Sequence, residues 1–269
     1  MRRYLVLLAA AFTMSGCLTM GVYRTAHVMP EGEGDFGLNF SVVRATIDEP
    51  SGTSIGKTSF TYPNLIPEIA YHYGMSENTE VGGRIALGAG MIELDVKYRL
   101  LHSDALDLAV IPAAGYQALF FIEGFHGSLP VVLTYDLKPR VSLNVSAFGN
   151  YTHYSFTESS TSDNLDLSGD TINAGGAIGV EFRSRGGFHF MPGIEVQRSV
   201  HRSGDFIGEI PNITSVIFGV MMGWGPNERL RKMDRQMDRI EQKLDRTLAP
   251  QTGGDAPPTG EGAPERQPE

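Results

Sequence analysis

Residues 91–100 read Met-Ile-Glu-Leu-Asp-Val-Lys-Tyr-Arg-Leu, and the alternation is faultless. Ile92, Leu94, Val96, Tyr98 and Leu100 fall on one face, and Glu93, Asp95, Lys97 and Arg99 on the other. A period of two over this length is a β-strand. The face with four ionisable groups must be wet or internally paired, and the apolar face must be dry. Two structures meet that demand. In one, the strand covers a soluble core and turns its charges to water. In the other, it is a stave of a membrane barrel, with charges in the lumen and apolar side chains in lipid.

The rest of the chain repeats the pattern and predicts about ten strands, within a range of eight to twelve. Glu68 faces away from Ile69 and Tyr71, and Glu80 and Arg84 face away from Val81 and Ile85. Asp107 opposes Leu108, Glu181 and Arg183 oppose Val180 and Phe182, and Glu195 opposes Ile194 and Val196. The predicted strands run about nine to thirteen residues. Soluble strands cluster near five or six, whereas a tilted strand needs roughly nine to eleven residues to cross a bilayer. Connections alternate in kind. Tight turns fall near residues 76–78, 102–104, 137–139 and 184–186, and long polar loops are expected at 46–64, 157–170 and 199–212. Phe36, Tyr73, Tyr98, Tyr135, Phe182, Phe188 and Trp224 all lie at the tight-turn end of the apolar face. A boundary girdle of aromatics predicts that placement, and a soluble sandwich has no reason to sort aromatics by height.

These features predict an all-β, antiparallel transmembrane barrel over residues 35–224, and the chain resembles small bacterial outer-membrane barrels. A lipocalin-like soluble barrel is the competing architecture. Glu68, Glu80, Arg84, Glu93, Asp95, Lys97, Arg99, Asp107, Glu181, Arg183 and Glu195 are then expected to form one lumen charge network. Glycine, at 32 residues, suits such a wall.

The N-terminus carries its own signal. Met1-Arg2-Arg3 is basic, an apolar run follows to about Thr13, and Met14-Ser15-Gly16 precedes Cys17, the one cysteine of the chain. A basic start, a short apolar stretch and small residues mark a secretory signal over residues 1–16. Residues 14–17 resemble the lipobox of bacterial lipoproteins, although Met14 stands where leucine is usual. The resemblance implies lipid modification at Cys17, a lipidated tether over 17–34, and anchoring in the outer membrane with both termini periplasmic.

After Trp224, Gly225 and Pro226 stop the last strand. Leu230, Met233, Met237, Ile240 and Leu244 then recur at steps of three and four, predicting a heptad seam on a helix at 227–248. Self-association or docking on a periplasmic partner through that helix is the expectation. The tail at 249–269 is rich in Pro, Gly and acidic residues and has no means of burying a core.

The net charge of −9 argues against a nucleic-acid partner. The spacing of the seven histidines suggests no metal site, and no cofactor motif is present. The composite expectation is a non-enzymatic barrel lipoprotein, a structural or binding component of the envelope in contact with outer-membrane lipid. A narrow passive pore through the charged lumen is the first alternative. The second rests on His153 and Ser155, which share a strand face near Glu158 and loosely resemble the His-x-Ser arrangement of outer-membrane lipid A deacylases.

Overall fold

The computed structural model describes residues 24–48, 58–119, 122–160, 163–204, 212–226 and 236–244. The signal-like segment, Cys17, Leu230, Met233 and the tail 249–269 lie outside them. The strands are β1 (Gly34–Asp48), β2 (Thr58–Ser76), β3 (Thr79–Ala86), β4 (Met91–His102), β5 (Leu106–Val110), β6 (Ala113–Leu119), β7 (Ile122–Lys138), β8 (Val141–Ser160), β9 (Asp163–Arg183), β10 (Phe188–Gly204) and β11 (Asn212–Trp224).

Every pairing between these strands is antiparallel. β11 returns to β1, and β3 pairs with β4, so the sheet closes with no free edge. β5 and β6 share the same two neighbours, β4 and β7. They are two halves of one stave, which gives a closed barrel of ten staves. The expected unbroken strand at 106–119 is therefore interrupted at Ile111 and Pro112. Proline cannot donate to a ladder. The interruption costs little, because Ile111 N donates to Pro130 O at 2.8 Å and Pro112 O accepts from Val96 N at 3.1 Å.

The expected long loops are partly strand. β1 and β2 stay paired to Ile47 and Thr58, β8 and β9 to Ser160 and Asp163, and β10 runs to Gly204. Beyond the apolar band a strand has no lipid-facing side, so no alternation is needed there. That is why the polar composition of these extensions reads as loop.

The exposure pattern settles which face is dry. On β4, Ile92, Leu94, Val96, Tyr98 and Leu100 are 42 to 69 % exposed, while Glu93, Asp95 and Lys97 are at most 5 % exposed. The same inversion runs round the wall: Phe218, Ile178, Leu129 and Val196 face outward, and Glu68, Glu80, Glu181 and Glu195 face inward. A soluble fold would pay heavily for this arrangement, and a bilayer demands it. The apolar band covers roughly nine to eleven residues per strand. At about 3.3 Å per residue and a tilt near 40°, that is about 25 Å of membrane.

Residues 231–269 form a separate unit, in which the described part is a helix at 236–244. Met237, Ile240 and Leu244 are exposed on it.

Candidate functional site

The lumen is filled by the protein's own chain. Residues 25–29 are buried inside the barrel, rather than outside it as part of a free tether. Segment 24–30 enters at the short-turn end. There Glu31 bridges Gly74, Gly32 N donates to Gly74 O at 2.9 Å, and Gly74 N donates to Glu33 O at 2.9 Å. Gly32 takes a left-handed conformation to make this turn, with φ of 80°. Gly74 is required for a different reason: a Cβ there would collide with the carbonyl oxygens of Met29 and Pro30.

From that entry the segment climbs the charged side of the wall. Met29 N donates to Glu80 Oε2 at 2.9 Å, and Lys97 Nζ bonds both Glu80 Oε1 at 2.8 Å and His27 O at 2.9 Å. Glu80 and Lys97 face each other across β3 and β4, so one ion pair grips two backbone groups of the segment. His27 Nδ1 lies 2.7 Å from Asp107 Oδ2, and its Nε2 lies 3.2 Å from Asp136 Oδ1. Ala26 N donates to Thr134 Oγ1 at 2.7 Å, and the Ala26 methyl packs with Ala109, Ile111, Val132 and Phe148. Highest up, Arg24 pairs with Asp95 at 2.7 Å and Glu93 at 3.3 Å.

The wall residues pair among themselves around this segment. Arg84 reaches Glu93 at 2.8 Å and Glu68 at 3.4 Å, and His126 Nε2 lies 2.6 Å from Glu93. Arg183 pairs with Glu181 at 2.7 Å, and His189 bridges Glu181 and Asp35. Glu195 is fully buried on β10. Arg99 stands apart from the expected network. It lies at the short-turn rim, where its Nε donates to Asn78 Oδ1 at 3.1 Å and its NH2 to the Glu77 carbonyl. The β2 to β3 turn, a water-exposed partner within reach, draws it out of the lumen.

Sequence parity puts His72 and His189 on the charged face without giving them a role, and it leaves out His27, His102 and His126. His27, His72, His102, His126 and His189 all contact carboxylates of the lumen or its rim, although they are scattered in sequence. Parity shows that His72 shares a face with Glu68 and His189 with Glu195. Segment 24–30 carried no such signal, because a strand-free chain crossing a lumen has no period. No group of three or more His, Cys, Asp or Glu with metal-binding geometry occurs among the described residues.

On the outer face, Phe36 and Phe188 flank Trp224 at ring distances of 6.5 and 5.3 Å. Tyr73, Tyr98, Tyr135 and Phe182 are exposed on neighbouring staves at the same end. Above the apolar band at the loop end, His153 Nδ1 lies 2.9 Å from Asp170 Oδ1, which also accepts from Tyr151 Oη at 2.6 Å. The Tyr151 hydrogen bond, then that from His153, holds the Asp170 carboxyl below the usual carboxylate range. The expected carboxylate partner, Glu158, lies in a stretch whose side chains are outside the described residues.

No protein-family model matches the chain, and no curated protein matches its sequence. Solved outer-membrane barrels resemble it at low identity. Neisserial surface protein A is 12 % identical, with 70 % of this chain and 96 % of that one covered at a TM-score of 0.34. The outer-membrane protease OmpT from Escherichia coli is 8 % identical, with 72 and 96 % covered at a TM-score of 0.42. Ail, the attachment invasion locus protein of Yersinia pestis, is 13 % identical, with 72 and 99 % covered at a TM-score of 0.30.

Proposed function

We propose that this protein is a self-plugged outer-membrane barrel, a non-enzymatic lipoprotein that serves the envelope through its outer surfaces rather than by conducting solutes. The observation that carries this reading is the grip of Glu80, Lys97, Asp107 and Asp95 on segment 24–30. An open pore of this size has no use for a buried peptide held at four of its residues, Met29, His27, Ala26 and Arg24. The exposed apolar band and its aromatic girdle support a membrane location, with the short turns in the periplasm as outer-membrane barrels place them.

Cys17 is the proposed lipid anchor. Six residues separate it from Arg24, and the seven steps of an extended chain span about 24 Å, enough to reach a membrane surface from inside the lumen. Mass spectrometry of the mature protein tests this: a diacylglyceryl-modified Cys17 at the N-terminus supports it, and an unmodified one excludes it. Residues 227–248 are proposed as the surface for self-association or a periplasmic partner.

Planar-bilayer recording tests the plugged state. The inserted wild-type protein is silent, and deletion of residues 24–30 produces discrete conductance steps. Stepwise conductance in the wild type overturns the reading in favour of a narrow pore. The hydrolase reading keeps one specific support, the Asp170 carboxylate on His153 with Ser155 two residues along the same strand face. Lipid A deacylation lost in Ser155→Ala would establish it, and no deacylation by the wild type removes it.

A further inference from the structure

The lumen lining has a gap that segment 24–30 does not fill. Along one row of cross-strand partners, Arg183 pairs with His189, His189 with Gly223, Gly223 with Gly37, Gly37 with Ala70, and Ala70 with Arg84. Every member of this row faces inward. Its middle three, on the adjacent strands β11, β1 and β2, are glycine, glycine and alanine, flanked on both sides by large charged groups. The His189 ring lies over Gly223, so the low floor is the part at Gly37 and Ala70, on strands about 4.8 Å apart. A Cβ built on Gly37 meets nothing nearer than 3.9 Å. The result is a cavity of about 60 Å³ between this floor and the Arg24, Thr25 and Met29 side of the plug. One water needs about 10–15 Å³, so the space suits a solute of a few heavy atoms.

Arg183 lines this cavity. Its side chain is 5 % exposed, and its NH2 is engaged by Glu181 Oε1. Its Nε and NH1 make no hydrogen bond among the described residues. Buried guanidinium donors are costly to leave unmatched, and an oxyanion, which only accepts, is the group that matches them. The rest of the lining carries both signs: Glu68 sits against Arg84, Asp35 against His189, and Arg24 and Lys97 also face the space. The volume, not the charge of the lining, is what separates a short oxyanion from a longer dicarboxylate.

We infer that the cleft between segment 24–30 and the β11, β1, β2 wall binds a small oxyanion, a short carboxylate or a phosphate, through Arg183. This rests on the plugged reading, because the plug forms one wall of the cleft. The test is isothermal titration of the full-length protein in detergent micelles with acetate, inorganic phosphate and succinate, at constant ionic strength with chloride as background. Acetate is expected to bind saturably at one site and succinate at least tenfold more weakly. Phosphate binding as tight as acetate assigns the site to oxyanions in general, and acetate binding alone assigns it to carboxylates. Arg183→Gln is expected to weaken acetate at least tenfold. Ala70→Leu, which fills the floor and leaves Arg183 in place, is expected to do the same and carries the test if the first variant does not fold. Absence of saturable acetate and phosphate binding, or binding unchanged in Ala70→Leu, overturns the inference. Such a result with a silent bilayer fails this site alone, whereas a conducting wild-type protein fails the plugged reading.

Discussion

Two regions of the lumen wall solve the problem of buried polarity differently. On the β3, β4 and β5 side the inward groups are Glu80, Arg84, Glu93, Asp95, Lys97 and Asp107, all buried; the first five are ion-paired, and Asp107 is hydrogen-bonded to His27 and His102. Toward the loop end of β8 to β11 they are Asn150, Thr152, Asn173, Gln197, Ser199 and Ser215, buried but neutral. Segment 24–30 takes its charged contacts from the first region, apart from the weaker one between His27 and Asp136 on β7. Charges are placed where something must be held at a fixed height, and neutral polar groups where the wall need only be hydrophilic. A uniformly charged lumen would hold the segment in many registers. A one-sided one selects a single register.

The comparison is broken most severely at Lys97. Lys97→Met leaves Glu80 buried without its cation and frees the His27 carbonyl, so a loss of about 3–5 kcal/mol is expected. Urea unfolding in lipid vesicles, followed by gel mobility, reads it. A loss below about 1 kcal/mol would mean that the charged side does not grip the segment.

The fold was legible because a membrane wall imposes a period of two on every stave. The face assignments of Glu68, Glu93, Asp95 and Glu181 follow from parity alone. Within the candidate site, the sequence shows the wall charges but not what they hold. Arg24, Thr25, Ala26 and His27 form no regular element, and their partners lie up to 109 residues away. Arg99 shares the parity of Lys97, but its height at the rim was invisible to parity. The break at Pro112 was a signal in plain view, since a proline on a central stave must be accommodated by a bend or interruption.

The neutral side sharpens the contrast from the other direction. Ser215 is fully buried, and its hydroxyl has no partner in the described structure. Ser215→Ala should change unfolding free energy by no more than about 0.5 kcal/mol, in either direction, because no made hydrogen bond is lost. A loss above about 2 kcal/mol would show that the neutral wall also grips something.

The smallest effect belongs outside the lumen, at Asp170. Its depressed pKa means that its contribution is fully present above the ordinary aspartate value near 3.9 and is lost as pH falls through the lower folded value. The melting difference between wild type and Asp170→Asn should therefore be small and constant from pH 8 to 5, and shrink only below about pH 4. A difference that varies between pH 8 and 5 would assign the effect to His153 instead.

Cysteine cross-linking tests the placement of segment 24–30 most directly. In a Cys17→Ser background, cysteines at Ala26 and Thr134 pair a plug residue with the wall residue whose hydroxyl it contacts at 2.7 Å. Cysteine at the outward-facing neighbour Leu133 provides the control. In native membranes the 26 and 134 pair should form a disulfide on mild oxidation, and the 26 and 133 pair should not. Failure of the 26 and 134 pair to close, with both thiols present, would place the segment outside the lumen and remove the basis of the plugged barrel.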